Sequence, residues 1–158
     1  MSGFDTPELT MGSEFAQVVG SMLEGVTGAA SRVRVGIDVV CVQGFTRLLE
    51  SRGGAAFRTS RFTPHELDYC GDRTERLAGR WAAKEAVAKA IGTGFRGLRP
   101  SSIEICHQSH GVPLVRRAPG ADEWPDGADG WDWAISISHE STAAAAIAVG
   151  VSPAPLDA

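Results

Sequence analysis

From Val33 the chain alternates with a period of two, Val33, Val35, Ile37 and Val39 on one side of an extended segment and Arg34, Gly36 and Asp38 on the other. The pattern predicts a strand in which Asp38 points away from the apolar side. A helix is expected near Gln43 to Ser51, then a break at Gly53-Gly54 and a basic stretch through Arg58 and Arg61. Thr63-Pro64-His65-Glu66 supplies an N-cap, a first-turn proline and a capping-box glutamate, so a short helix should start there. A longer helix is predicted from about Arg73 to Ile91, ending at Gly92-Thr93-Gly94. Ser102 to Cys106 and Val112 to Val115 read as two strands joined around Ser109-His110-Gly111. Residues 118–130 hold too much Gly, Pro and Asp for either element and read as a loop. Alternation returns in Trp133 to His139, and a last apolar strand ends near Val149. Phe15, Val18, Val19, Met22 and Leu23 have helical spacing, which makes residues 1–31 an appended helix or a loose tail. The folded domain is then 32–151, with 152–158 a C-terminal tail.

Composition narrows the class. A chain of 158 residues has room for one ordinary domain. With 43% hydrophobic and 22% charged residues it is globular in composition, and no apolar run is long enough for a membrane helix, so no membrane partner is expected. The first residues carry acids where an export signal carries bases, and Cys41, Cys70 and Cys106 fit neither a disulfide framework nor a clustered zinc site. Both features favour a cytoplasmic protein. The net charge of −4 conceals a segregation: all fifteen Lys and Arg lie between residues 31 and 121, flanked by acidic ends that contain no base. A basic middle in an acidic protein argues against nucleic-acid binding and for a local site that meets anions or an acidic partner.

Only two of the bases are lysines, Lys84 and Lys89, and both fall in the long helix beside Glu85. Leu77, Trp81, Glu85 and Lys89 form one i, i+4 row next to the small row Ala78, Ala82, Ala86 and Ala90. Two readings are open. Glu85 and Lys89 are an ordinary helix pair on a solvated face, or a carboxylate and an ammonium over an anionic, metal-bound ligand. Asp38 alone would read as a turn former, but with Glu85 it makes half of a magnesium site, because magnesium takes one or two carboxylates and completes its octahedron with water and phosphate. His139 ends a strand, where a structural hydrogen bond is the usual role, and Ser136 and Ser138 alternate away from it.

Taken in order, the blocks form a recognisable set. Gly36-Ile37-Asp38-Val39-Val40, Phe62-Thr63 with Glu66-Leu67, Arg80-Trp81-Ala82-Ala83-Lys84-Glu85-Ala86 with Lys89, Gly92-Thr93-Gly94, Gly111-Val112-Pro113 and Ser136-Ile137-Ser138-His139 resemble the 4'-phosphopantetheinyl transferases, most closely the short holo-acyl-carrier-protein synthase type. The resemblance implies an α+β fold, with a small antiparallel sheet packed on a long central helix, and a homotrimer with active sites between subunits. It implies transfer of the phosphopantetheine arm of coenzyme A to a serine of an acidic apo acyl carrier protein, releasing adenosine 3',5'-bisphosphate. The metal would be magnesium, with manganese as a substitute, held by Asp38 and Glu85. Glu85, Lys89 and Asp38 would form the catalytic set. Coenzyme A would be bound by Lys89, by Arg80 and Lys84 on the neighbouring helix face, by Gly92, Thr93 and Gly94, by Gly111 and Pro113, and by Ser138 and His139. The basic segment between Phe45 and Phe62 would dock the carrier through Arg47 and Arg52.

Three features depart from the family pattern. Many relatives have a glutamate shortly after the first aspartate, where this chain has Cys41 and Val42, which leaves Glu140 as a substitute third carboxylate. The acidic loop 118–130 stands where relatives have a short helix, and residues 1–31 have no counterpart in the short type. The rival readings are a catalytically dead module that binds carriers or coenzyme A, and a magnesium-dependent pyrophosphate hydrolase. The retained Asp38, Glu85 and Lys89 argue against the first, and the lack of a P-loop or clustered acidic motif against the second.

Overall fold

The computed structural model describes residues 32–152; the predicted helical stretch around Phe15 to Leu23 and the C-terminal tail beyond Ser152 lie outside the described residues. Strand β1 (Arg32–Cys41) leads without a loop into α1 (Val42–Glu50), followed by α2 (Gly54–Arg61), α3 (Pro64–Cys70) and the long α4 (Thr74–Ile91). Strands β2 (Ile103–His107) and β3 (Pro113–Arg117) make a separate two-stranded sheet. Strands β4 (Asp132–His139) and β5 (Ala143–Ser152) join β1 in a three-stranded antiparallel sheet of order β1-β5-β4. The α+β class and the small antiparallel sheet on a long central helix are as expected.

Helix α4 runs through the centre, and its alanines explain how. Leu77, Ala78, Ala82, Ala83, Ala86, Val87 and Ala88 are all fully buried, so the helix is covered on most of its circumference. On one side it meets the face of the sheet built from Gly36 and Asp38 of β1, Ala144, Ala146 and Ala148 of β5, and Ile135 and Ile137 of β4, paired across the ladder. The approach is close enough that a Cβ on Gly36 would stand 2.0 Å from the carbonyl oxygen of Ala86. On its other side α4 packs against Ile103, Ile105 and Val115 of the small sheet, while Val42, Phe45, Phe62 and Cys70 close the core around Leu77 and Ala78.

Two expectations change here. The alternation in β1 is real, but the helix packs on its small-residue side, and the apolar side faces outward: Val35, Ile37 and Val39 are 42%, 62% and 65% exposed. The basic stretch after Gly53 is itself helical; Gly54 is required at its start because a Cβ there would lie 1.9 Å from the carbonyl oxygen of Leu49. The 118–130 segment is irregular as expected, with a 3-10 stretch at Pro125–Gly130, yet it is anchored. Trp124 is buried and its indole donates to the Ser102 carbonyl at 3.2 Å, and Arg117 pairs with Asp129 at 3.0 Å. The three cysteines are free thiols, and no helix among the described residues is long and apolar enough to cross a membrane.

Candidate active site

Because Gly36 lets α4 lie against β1, the side chain two residues on, Asp38, meets the exposed end of the Glu85–Lys89 row. Lys89 Nζ stands 2.8 Å from Asp38 Oδ1 and donates also to the Ile37 carbonyl at 3.1 Å. Glu85 is half-buried beside them. Burial first, and then the negative charge of Asp38, push its carboxyl above the usual range, with Lys89 working in the opposite direction. A carboxylate pair in this condition is what a divalent cation relieves, so the donor set fits magnesium. Among the described residues no three His, Cys, Asp or Glu side chains converge, so the protein offers this pair and leaves the other positions to phosphate and water. Within one copy Glu140 does not join this pair. It lies in the wall of a different cavity and accepts from the Thr142 hydroxyl at 2.7 Å.

That cavity, about 490 Å³, opens at the β4 edge of the sheet, the edge opposite Asp38. Arg73, Arg76 and Arg80 reach it from the start of α4, Tyr69 from α3, His107, Gly111 and Pro113 from the small sheet, and Ile137 and His139 from β4. Its lining is basic on balance, with Arg73, Arg76 and Arg80 against Glu75 and Glu140. Arg80 is 6% exposed, lies with its guanidinium carbon 4.9 Å from the Tyr69 ring centre, and hydrogen-bonds through Nη2 to Nε2 of His107. Its buried Nε has no partner among the described residues. Burial, then the Arg80 charge, depress the basicity of His107, so its Nε2 is available as the acceptor. Three arginines at the N-terminal end of a helix and an unspent buried donor make a site for a compact anion.

Of the residues expected to bind the cosubstrate, Arg80, Gly111, Pro113 and His139 all line this cavity. Ser138 does not: it is exposed on the outer face of β4, since neighbours along a strand alternate in direction. Gly92, Thr93 and Gly94 do not line it either. Gly92 and Gly94 have φ of 94° and 58° and donate back to the Ala88 carbonyl, so the local role of these glycines is to close α4. Lys84 requires a correction. It is fully buried and its ammonium is spent on Glu66 Oε2 at 2.7 Å and on the carbonyls of Pro100 and Ile103 at 2.9 and 2.5 Å, so it reaches no surface ligand. Burial lowers its basicity, and the Glu66 charge offsets that only in part. Tyr69, Arg73, Arg76 and His107 were missed as site residues. The signal for two of them was present, because Arg73, Arg76 and Arg80 recur at helical spacing on one face.

Arg47 and Arg52 are exposed on and just after α1, with Leu48, 41% exposed, beside Arg47.

The sequence profile of the 4'-phosphopantetheinyl transferase superfamily matches residues 34–149. The holo-[acyl-carrier-protein] synthase of Gloeobacter violaceus is 39% identical over 111 residues, covering 68% of this chain and 83% of its own. That of Halothermothrix orenii is 36% identical over 119 residues, 73% of this chain and 94% of its own. Among solved structures, the Helicobacter pylori synthase in complex with coenzyme A superposes with a TM-score of 0.64 at 27% identity, over 73% of this chain and 98% of that one. The Neisseria meningitidis synthase does so with a TM-score of 0.64 at 34% identity, over 74% and 96%. With fold, motif order and sequence in agreement over nearly all the described residues, the chain belongs to the 4'-phosphopantetheinyl transferase superfamily, on its holo-[acyl-carrier-protein] synthase branch.

Proposed function

We propose that this chain transfers the 4'-phosphopantetheine arm of coenzyme A to the serine of an apo acyl carrier protein in a magnesium-dependent reaction. The observation that carries the reading is the meeting of Asp38, Glu85 and Lys89 at one exposed edge, where the Lys89 bonds to β1 leave the half-buried Glu85 carboxylate beside Asp38 unexplained. The serine hydroxyl attacks the phosphorus on the pantetheine side of the pyrophosphate. Its oxygen forms the new P–O bond as the bridging oxygen leaves with adenosine 3',5'-bisphosphate, and the hydroxyl proton passes to a base. Asp38 and Glu85 would hold the metal, which supplies charge neutralisation at the pyrophosphate when bound. Lys89 stabilises the charge that develops on the phosphoryl oxygens. Glu85, whose carboxyl is raised, is suited to accept the proton, directly or through water. Arg80, His139 and the cavity they line accept the nucleotide phosphates.

The metal edge and the basic cavity sit on opposite edges of one sheet and open away from each other's strand, an arrangement suited to sites shared between neighbouring copies. The outward face of that sheet, with Val35, Ile37, Val39 and Ile147 exposed, is an apolar surface with nothing among the described residues over it. Both features support a homotrimer in which the Asp38 edge of one copy faces the Arg80 cavity of the next. The outer side of α1, with Arg47, Leu48 and Arg52, fits an acidic carrier. The chemistry is tested by following adenosine 3',5'-bisphosphate: its release should require magnesium and the apo carrier, and should vanish with a carrier whose serine is replaced by alanine. Release without any carrier would point instead to hydrolysis.

A further inference from the structure

Lys84 and Glu66 form a wholly buried ion pair, 2.7 Å apart with neither side chain exposed. All three ammonium protons have acceptors on three different segments: Glu66 of α3, Pro100 in the turn after α4, and Ile103 at the start of β2. The Glu66 carboxylate is just as fully engaged. Its Oε2 accepts from the backbone N–H of Thr63 at 2.8 Å and its Oε1 from that of Ile105 at 3.0 Å. One pair of side chains therefore ties α4 to the cap of α3 and to β2 by directional bonds. A buried pair of this kind is a poor source of stability, since apolar residues of like volume usually serve as well, so its value lies in geometry.

The element it fixes needs fixing. Where α4 lies against β1 and β5 it presents Ala82, Ala83 and Ala86 to Gly36, Ala144, Ala146 and Ala148, with the larger Ile135 and Ile137 of β4 only to one side of that seam, and small residues on both faces let a helix come close while keying its rotation weakly. Glu85 follows Lys84 directly, about 100° further around the helix, and Lys89 lies one turn beyond Glu85. Whatever sets the direction of Lys84 thus sets the direction of both groups that meet Asp38. We propose that Glu66 and Lys84 are positioning residues of the transfer reaction: they lock the rotation of α4 so that Glu85 and Lys89 converge on Asp38. This rests on the transferase reading above and assigns Lys84 a task unlike coenzyme A binding.

The test uses the full chain with Lys84→Met, which keeps the volume of the stem and removes the charge, and Glu66→Gln/Lys84→Met, which leaves no unpaired buried charge and remains usable if the single variant does not fold. Each is measured below its melting midpoint, with its circular dichroism matched to wild type. Positioning predicts a kcat at least about tenfold lower with the KM for coenzyme A within about twofold. It also predicts Mn2+ affinity, read by electron paramagnetic resonance with coenzyme A present, weakened by about tenfold or more. A folded variant with wild-type kcat and Mn2+ affinity overturns the proposal, and so does one whose only defect is a raised KM for coenzyme A. A wild-type chain that modifies no carrier would instead sink the transferase reading, so the two failures are told apart.

Discussion

At Glu85 two demands conflict. In the proposed metal site the group must be ionised to hold a cation, yet burial and Asp38 raise its carboxyl above the range it has in an unfolded chain. A carboxyl raised in the folded state favours folding while it is protonated, and that contribution is lost as pH rises through the folded value. In the metal-free protein Glu85 is therefore a destabilising charge at neutral pH. Glu85→Gln should raise the melting temperature by roughly 1–3 °C near pH 7.5, the small end because the group is partly solvated, and by nothing near pH 4. The same variant should lose transfer. Thermal scans at the two pH values check this, and an equal difference at both would refute a raised Glu85 carboxyl. Lys84 shows why part of the site escaped sequence reasoning. A lysine beside a glutamate on a helix is normally solvated, and the partner that draws it inward, Glu66, lies eighteen residues earlier on another helix. Nothing local marks that pairing. Helix period did put Glu85 and Lys89 on one row, whereas Asp38 was brought to them by residue type and the family resemblance, not by the strand period.

Among the elements, β1 and α4 hold Asp38, Glu85 and Lys89 between them, and Gly36 brings the strand against the helix. Replacing it with alanine drives a methyl group into the backbone of α4 at Ala86 and Ala90, where neither atom is the end of a flexible side chain. Gly36→Ala should cost about 1–3 kcal/mol or more of stability in urea unfolding and depress kcat by separating Asp38 from Glu85. An unchanged midpoint would mean that the helix approaches the strand less closely than described. Helix α1 makes a different forecast. Arg47→Glu/Arg52→Glu should raise the KM for the carrier about tenfold with that for coenzyme A nearly unchanged, and should flatten the fall of wild-type efficiency with added salt. Unchanged carrier kinetics would move the docking surface elsewhere. The boundaries of α3 and α4 were readable because a capping box and paired glycines mark them, and the box is present, with Thr63 Oγ1 and Glu66 exchanging bonds with each other's backbone. Which side of β1 faces the helix was not readable, because the apolar side is the natural candidate for the core and here it lies outside.

For the whole molecule, an apolar sheet face and two half-sites on opposite edges make a monomer that lacks a complete site in the proposed arrangement. Mixing inactive Asp38→Ala with inactive Arg80→Ala, after dissociation and reassembly, should restore a fraction of wild-type activity, because some interfaces then join an intact Asp38 edge to an intact Arg80 cavity. No recovery from two folded, co-assembled variants would place both half-sites within one copy. The class of fold was legible from the order of motifs, while assembly showed only as a resemblance, since the exposed face of β1 appears once the helix is seen on its other side. The most direct measurement is the intact mass of an apo acyl carrier protein after incubation with coenzyme A, magnesium and this chain, in parallel with its Asp38→Ala variant. The account predicts a gain of one phosphopantetheine group with wild type, abolished by chelator, and none with the variant. A carrier left at its apo mass by wild type, or modified equally well by Asp38→Ala, would contradict it.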